Sequence, residues 1–212
     1  MVSVLNLGWV RREFRLVLDT LQRVARHEIV VLDESTTCGR PIEWNQLSIA
    51  RRVVEAKADV WLSMDADTVP LGNPLDPIDG DYDVLGYGYL IDGSLVPIWS
   101  AAVPEDAEDG KFRTLYPTDK TIESYPGMVV GGGCWAISRR VLESLLKRHA
   151  NPFTRRVRED GSLVGNDFSF CERAWAAGFQ VFICWEPTAE HYKEVPRVAA
   201  WNAACDAMER RS

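Results

Sequence analysis

The sequence predicts an α/β domain with a mostly parallel central sheet flanked by helices, and three observations carry that expectation. In the first third of the chain, short apolar runs of strand type alternate with stretches whose apolar residues recur at helical spacing. Strands linked through helices form parallel pairs with right-handed crossovers. The 212 residues fit one domain more easily than two, and 46% hydrophobic with 26% charged residues can build a sizeable core with no signature of disorder.

Val2 to Leu5 is the first strand-like run, and Phe14, Val17, Leu18, Leu21, Val24 and Ala25 then mark a helix. Ile29 to Leu32 is a second buried strand. Leu47, Ala50, Val53 and Val54 lie on one face of a second helix, which leads into a strand over 58–64. Next come short strands over 83–89 and 94–99, separated by the Asp92-Gly93 turn. The Pro-, Gly- and acid-rich stretch from Pro104 to Gly127 reads as a surface loop or as a lid that meets an acceptor. Met128 to Ile137 is a strand interrupted by Gly131, Gly132 and Gly133, and a helix capped by Ser138 follows it. A helix from Asn166 to Ala177 stops at Gly178, a strand covers 179–184, and a partly apolar helix runs from about Val198 to Met208. No internal repeat or linker divides the chain, so 1–212 is read as one domain. It is read as two halves, 1–100 and 101–212.

The net charge of -7 argues against a general nucleic-acid or anionic-membrane surface. Cys38, Cys134, Cys171, Cys184 and Cys205 include no CxxC pair, and most lie in apolar stretches. There is no signal-like N-terminus and no apolar run of about 18 residues. The expectation is a reduced, cytoplasmic protein without a transmembrane segment.

The chemistry concentrates at Asp65-Ala66-Asp67, which ends the apolar run over 58–64. Two acids on alternate residues of a strand point to the same side. One or two carboxylates together with substrate phosphates are the usual setting for magnesium- or manganese-type ions. His191, after the last strand, is the best further ligand, since neutral imidazole binds manganese-type ions. Ligands of such sheets bind beyond the carboxyl ends of the strands, where Asn6, Asp33 with Glu34, and Asp65 with Asp67 lie. His27 and His149 fall at helix ends and suit the helix dipole.

In order, Asp65 to Pro70, Gly131-Gly-Gly-Cys-Trp135, Gly165 to Phe179, and His191 resemble the motifs of a GT-A glycosyltransferase, over some nine-tenths of the chain. The resemblance implies that Asp65, Asp67 and His191 hold Mn²⁺ or Mg²⁺ under the diphosphate of a UDP- or GDP-sugar. It implies that Asp33 meets the nucleoside base, with Asn6 nearby. Arg51 would reach toward base or phosphate, with Arg52 as well placed, and Lys193 would face the leaving diphosphate or stand at the surface. Gly132, Gly133 and Trp135 would line the donor sugar, with Trp135 equally suited to the core. Asp167 would be the base that takes the acceptor proton if the enzyme inverts. Asn166 stands where many relatives carry Glu, so one carboxylate is present instead of two. The acceptor would be a glycan, a protein or a small molecule. The aromatic residues between Tyr82 and Tyr125 would stack sugars in an acceptor cleft or simply fill the core.

Rival readings are a haloacid-dehalogenase-type phosphatase with Asp65 as nucleophile, a sugar nucleotidyltransferase, and a silent nucleotide-sugar-binding module. The first expects its motif after the first strand of the domain and leaves His191 unused. The second expects a glycine-rich phosphate loop that Leu7 to Arg12 does not supply.

Overall fold

The structure is a computed structural model that describes residues 2–5, 41–65, 67–91, 98–105 and 111–191, the first segment by its backbone alone. The first expected helix, the strand over Ile29 to Leu32 and the C-terminal helix lie outside the described residues, as do Asn6, Asp33 and Lys193.

The central layer is a six-stranded sheet containing β1 (Val2–Leu5), β2 (Val60–Asp65), β4 (Val84–Tyr87), β9 (Ile122–Glu123), β11 (Cys134–Ser138) and β14 (Val181–Cys184), in the order β1-β2-β11-β4-β14-β9. It is not the mostly parallel sheet that the sequence predicts. The pairs β1·β2 and β4·β14 are parallel, whereas β2·β11, β11·β4 and β14·β9 are antiparallel. The remaining small sheets are all antiparallel. They pair β3 (Thr68–Pro70) with β15 (Ala189–His191), and β5 (Leu90–Ile91) with β6 (Ile98–Trp99). They also join β7 (Ala101–Pro104) to β8 (Phe112–Thr114) and β10 (Val129–Val130), and β12 (Arg156–Val157) to β13 (Leu163–Val164).

Strand β11 enters between β2 and β4 from far along the chain and runs against both, so the sheet does not grow by successive parallel crossovers. Between β2 and β11 the described residues contain no α-helix, only a short 3₁₀ turn over Asp76–Asp79. The alternation of strand and helix in the first third of the sequence therefore does not extend to the middle.

Three described α-helices cover the sheet. Helix α1 (Ile42–Glu55) starts after Pro41 and buries Leu47, Ile49, Ala50 and Val53. Helix α2 (Arg139–Arg148) buries Val141, Leu142 and Leu145, and Lys147 and Arg148 in its last turn complement the dipole. Ser138 occupies its N-cap position, as expected, but its side chain makes no capping bond. Burial, then Arg173 and Arg148, push the pKa of His149 down, which disfavours the charged form that would favour the dipole of α2. Helix α3 (Asn166–Ala176) is followed by Gly178 at φ +89, where a left-handed residue lets the chain turn back into β14.

The glycine-interrupted run splits into β10 and β11, which belong to different sheets. The core beneath them is aromatic. Phe153 and Phe170 stack at 4.7 Å between ring centroids, and Trp135 meets Phe170 edge-on at 5.2 Å. Such pairs contribute about 0.5–1.5 kcal/mol each beyond the area they bury. The six-stranded sheet draws strands from both halves of the chain. No described helix is long and apolar enough to cross a membrane.

Candidate functional site

Strands β1, β2, β4 and β14 run in one direction and β11 in the other, so the carboxyl ends of the first four share an edge with the start of β11. That edge gathers Asp65 at the end of β2, Tyr89 beyond β4, the turn Gly131 to Gly133 before β11, and the N-terminus of α3. The short ribbon β3·β15 brings the end of the described chain back to it.

Thr68 and His191 are cross-strand partners in that ribbon. The pairing sets His191 Nε2 3.4 Å from Asp67 Oδ2. On its other side, His191 Nδ1 is 3.3 Å from the carbonyl oxygen of Leu90, which can only accept. Nδ1 therefore donates to that carbonyl, and Nε2 is the ring nitrogen on the Asp67 side. A histidine oriented by a backbone carbonyl, with its other nitrogen beside a carboxylate, is the usual arrangement of a metal ligand. Two ligands of one ion, each about 2.1 Å from it, stand roughly 3.0–3.4 Å apart at ordinary coordination angles. The donor pair thus fits a divalent cation. Among the described residues no group of three His, Cys, Asp or Glu side chains is close enough to hold a metal by itself. Among the described residues, the protein brings Asp67 and His191 together as donors.

Asp65 is half-buried at the end of β2, and its amide donates to the Gly133 carbonyl at 2.7 Å. This bond ties the acidic turn to the glycine turn. Tyr89, 5% exposed, links the remaining parts. Its hydroxyl accepts the Gly133 N–H at 2.9 Å, and its ring meets His191 edge-on at 5.5 Å. Burial, then the Asp167 and Asp65 carboxylates, push its pKa well above the ordinary value, while the Gly133 bond opposes them. The phenol stays protonated between two acids. A Cβ on Gly133 would come within 2.9 Å of the Tyr89 ring and 3.0 Å of Thr68 Oγ1, so this contact requires glycine.

Asp167 lies in the first turn of α3. Its carboxylate accepts the Gly132 N–H at 3.0 Å and the Phe168 N–H at 2.8 Å. Burial nevertheless raises its pKa, against the lowering effect of these bonds and of Arg155. A Cβ on Gly165 would come within 2.6 Å of Asp167 Oδ1, so the residue before the helix must be small to admit the acid. Asn166 donates from Nδ2 to Gln46 Oε1 at 2.7 Å, which ties the start of α3 to buried Gln46 on α1.

Of the expected site residues, the fold thus gathers Asp65, Asp67, Gly132, Gly133, Asp167 and His191, with Asn166 alongside. Trp135 lies elsewhere: it is 0% exposed, inside the Phe153 and Phe170 cluster. It supports the turn from below, 3.5 Å from where a Gly132 Cβ would stand. Arg51 is exposed on α1 and no described hydrogen bond or ion pair draws it toward the acidic turn. Most of the aromatic residues from Tyr82 to Tyr125 pack inward, while Tyr116 and Tyr125 are exposed. Sequence reading passed over two contributors, the Leu90 carbonyl and Gln46. Neither has a side-chain pattern that marks it, because each acts through a partner far away in the chain.

No protein-family model matches the chain, and no curated protein matches it. The fold is similar to the crystal structure of A197 from STIV, with a TM-score of 0.58 at 16% identity, over 91% of this chain and 85% of that chain. At that identity the likeness concerns the fold alone.

Proposed function

We propose that the protein is a metal-dependent glycosyltransferase that moves a sugar from a UDP- or GDP-activated donor to an acceptor hydroxyl. The observation that carries the reading is the Asp67 and His191 pair, with His191 oriented by the Leu90 carbonyl so that Nε2 faces the carboxylate. A phosphatase of the rival type leaves this pairing without a role.

Asp67 and His191 would hold Mn²⁺ or Mg²⁺, with Asp65 adding negative charge beside them and the donor's phosphate oxygens completing the coordination. When bound, the cation stabilises the charge that develops on the departing diphosphate. Gly132 and Gly133 form the buried turn at the same edge, and Gly132 donates its N–H to Asp167. Tyr89 holds that turn in place through the Gly133 N–H. As the bond between sugar and diphosphate breaks and the acceptor oxygen bonds to the sugar, Asp167 takes the acceptor proton if the configuration inverts. Its raised pKa makes it a better base than an ordinary surface carboxylate. Asp33, Asn6, Arg51 and Lys193 are proposed for the nucleoside and diphosphate. Cys134, Cys171 and Cys184 are buried free thiols, in keeping with a cytoplasmic setting.

The test is a thermal-shift screen of UDP, GDP, CMP and dTDP with and without Mn²⁺. A Mn²⁺-dependent rise with one diphosphate is expected and names the donor class. No rise with any of them, together with phosphate-ester hydrolysis, sinks the reading.

A further inference from the structure

A cleft of about 690 Å³ lies not at the acidic turn but at the other end of the β3·β15 ribbon. Leu71, just past β3, donates its amide to Thr188 just before β15, and both residues line the cleft. Leu71 is four residues from Asp67 and Thr188 three from His191, so about 10–13 Å of strand at 3.3 Å per residue separates the cleft from that pair.

The lining chemistry is selective. Three carboxylates (Asp76, Asp119 and Glu186) face one ammonium, Lys120, so the cleft is unsuited to a diphosphate or any other polyanion. Acceptor oxygens beside the Thr121 and Thr188 hydroxyls suit a ligand rich in hydroxyl groups. The volume lies in the range of sites for small organic ligands.

The wall is also preorganised. Glu123, 7% exposed, accepts from Thr118 Oγ1 at 2.7 Å, Tyr125 Oη at 3.2 Å and Trp185 Nε1 at 3.0 Å. Thr118 Oγ1 in turn accepts the Lys120 amide at 3.1 Å, and Trp185 donates its amide to the Thr121 carbonyl at 2.8 Å. One buried carboxylate thus fixes the 118–121 segment against the strand end at Trp185. A ligand entering the cleft meets groups that are already ordered, which lowers the cost of binding.

We propose that this cleft binds a neutral saccharide. Its role as the acceptor site rests on the glycosyltransferase reading, in which a chain seated here extends toward the acidic turn. The binding itself rests on the cleft alone.

The test is an NMR titration of the full chain with lactose, cellobiose and maltose, and with glucose 6-phosphate as an anionic counterpart. The signals followed are the amides of Thr118, Lys120 and Thr121 and the Trp185 indole N–H. At least one neutral disaccharide is expected to move these signals together. The exposed-residue variants Asp119→Arg and Glu186→Arg are expected to weaken that binding about tenfold or more, 1.4 kcal/mol or above, with an unchanged melting temperature. No movement with any neutral disaccharide, or movement with glucose 6-phosphate alone, overturns the proposal. UDP or GDP binding with Mn²⁺, measured on the same samples, separates the two ideas. Nucleotide binding without saccharide binding removes the cleft and keeps the transferase. Saccharide binding without nucleotide binding does the reverse.

Discussion

His191 Nε2 stands 3.4 Å from Asp67 Oδ2 because Thr68 and His191 pair across a two-stranded ribbon that lies outside the main sheet. The ribbon is only three residues long on each side. Its placement depends on Leu71 and Thr188 closing one end and on the Leu90 carbonyl holding the histidine ring at the other.

His191→Ala removes the nitrogen ligand and leaves Asp67 in place. Mn²⁺-dependent stabilisation by the preferred nucleoside diphosphate is expected to fall at least tenfold in apparent affinity, about 1.4 kcal/mol. Nucleotide binding without metal should change little. Wild-type behaviour in the thermal-shift titration would remove His191 from the site.

Asp167 has its pKa raised by burial, so as a base it must lose its proton above the ordinary carboxylate value near 4. Transfer activity is expected to rise with pH through that elevated value, and a profile of kcat/KM against pH reads the limb. The sign for stability is opposite. A carboxyl that holds its proton more tightly in the folded state loses its stabilising contribution as pH rises through the folded pKa. Asp167→Asn should therefore abolish the activity limb and flatten this part of the stability profile. Undiminished transfer by the variant would exclude Asp167 as the base.

Tyr89→Phe keeps the ring against His191 and deletes the acceptor of the Gly133 N–H. A buried amide left without its partner costs about 1–3 kcal/mol, measured by denaturant melts. Because the glycine turn is then held less firmly, nucleotide affinity should drop as well. An unchanged affinity alongside the stability loss would limit Tyr89 to a folding role.

Glu123 is a buried carboxylate whose own burial opposes ionisation. The bonds from Trp185, Thr118 and Tyr125 nevertheless bring its pKa below the ordinary value. A depressed folded pKa contributes stability above the unfolded value, and that contribution is lost as pH falls through the folded one. Glu123→Gln is expected to cost about 2 kcal/mol near neutral pH. The difference from wild type should shrink in melts below about pH 4. A constant difference across that range would mean that the charge on Glu123 does not hold the wall.

Trp135→Phe tests the placement of Trp135 in the core. The indole is 0% exposed and its Nε1 has no hydrogen-bond partner, so the substitution leaves no broken hydrogen bond. A stability loss of about 1–3 kcal/mol from the reduced volume is expected, with donor affinity unchanged. Loss of donor affinity at unchanged stability would return Trp135 to the sugar.

Much of the candidate site is legible in the chain because strand ends and turns have strong local signatures. Asp65 and Asp67 follow an apolar run, the three glycines interrupt another, and Asp167 opens a helix with Gly178 at its end. The sheet directions are less legible. A strand's direction relative to its neighbour depends on where the chain returns it to the sheet, and β11 enters between β2 and β4 from far along the sequence. Trp135 shows the same limit at the level of one side chain. An aromatic after a glycine turn suits a ligand or a core equally, and only the positions of Phe153 and Phe170 decide between them.

By itself the sequence determined the inventory of local pieces: the acidic turn, the glycine turn, the helix that begins with Asn166 and Asp167, and a histidine past the strand at 181–184, which the structure places at the end of a further strand. These follow from residue type and short-range spacing, which act over a few bonds. Only the tertiary structure decided that the main sheet is mixed, that His191 meets Asp67 and the Leu90 carbonyl, and that a cleft lies at the far end of their ribbon. Those facts rest on contacts between segments distant in the chain, whose energies no local pattern records.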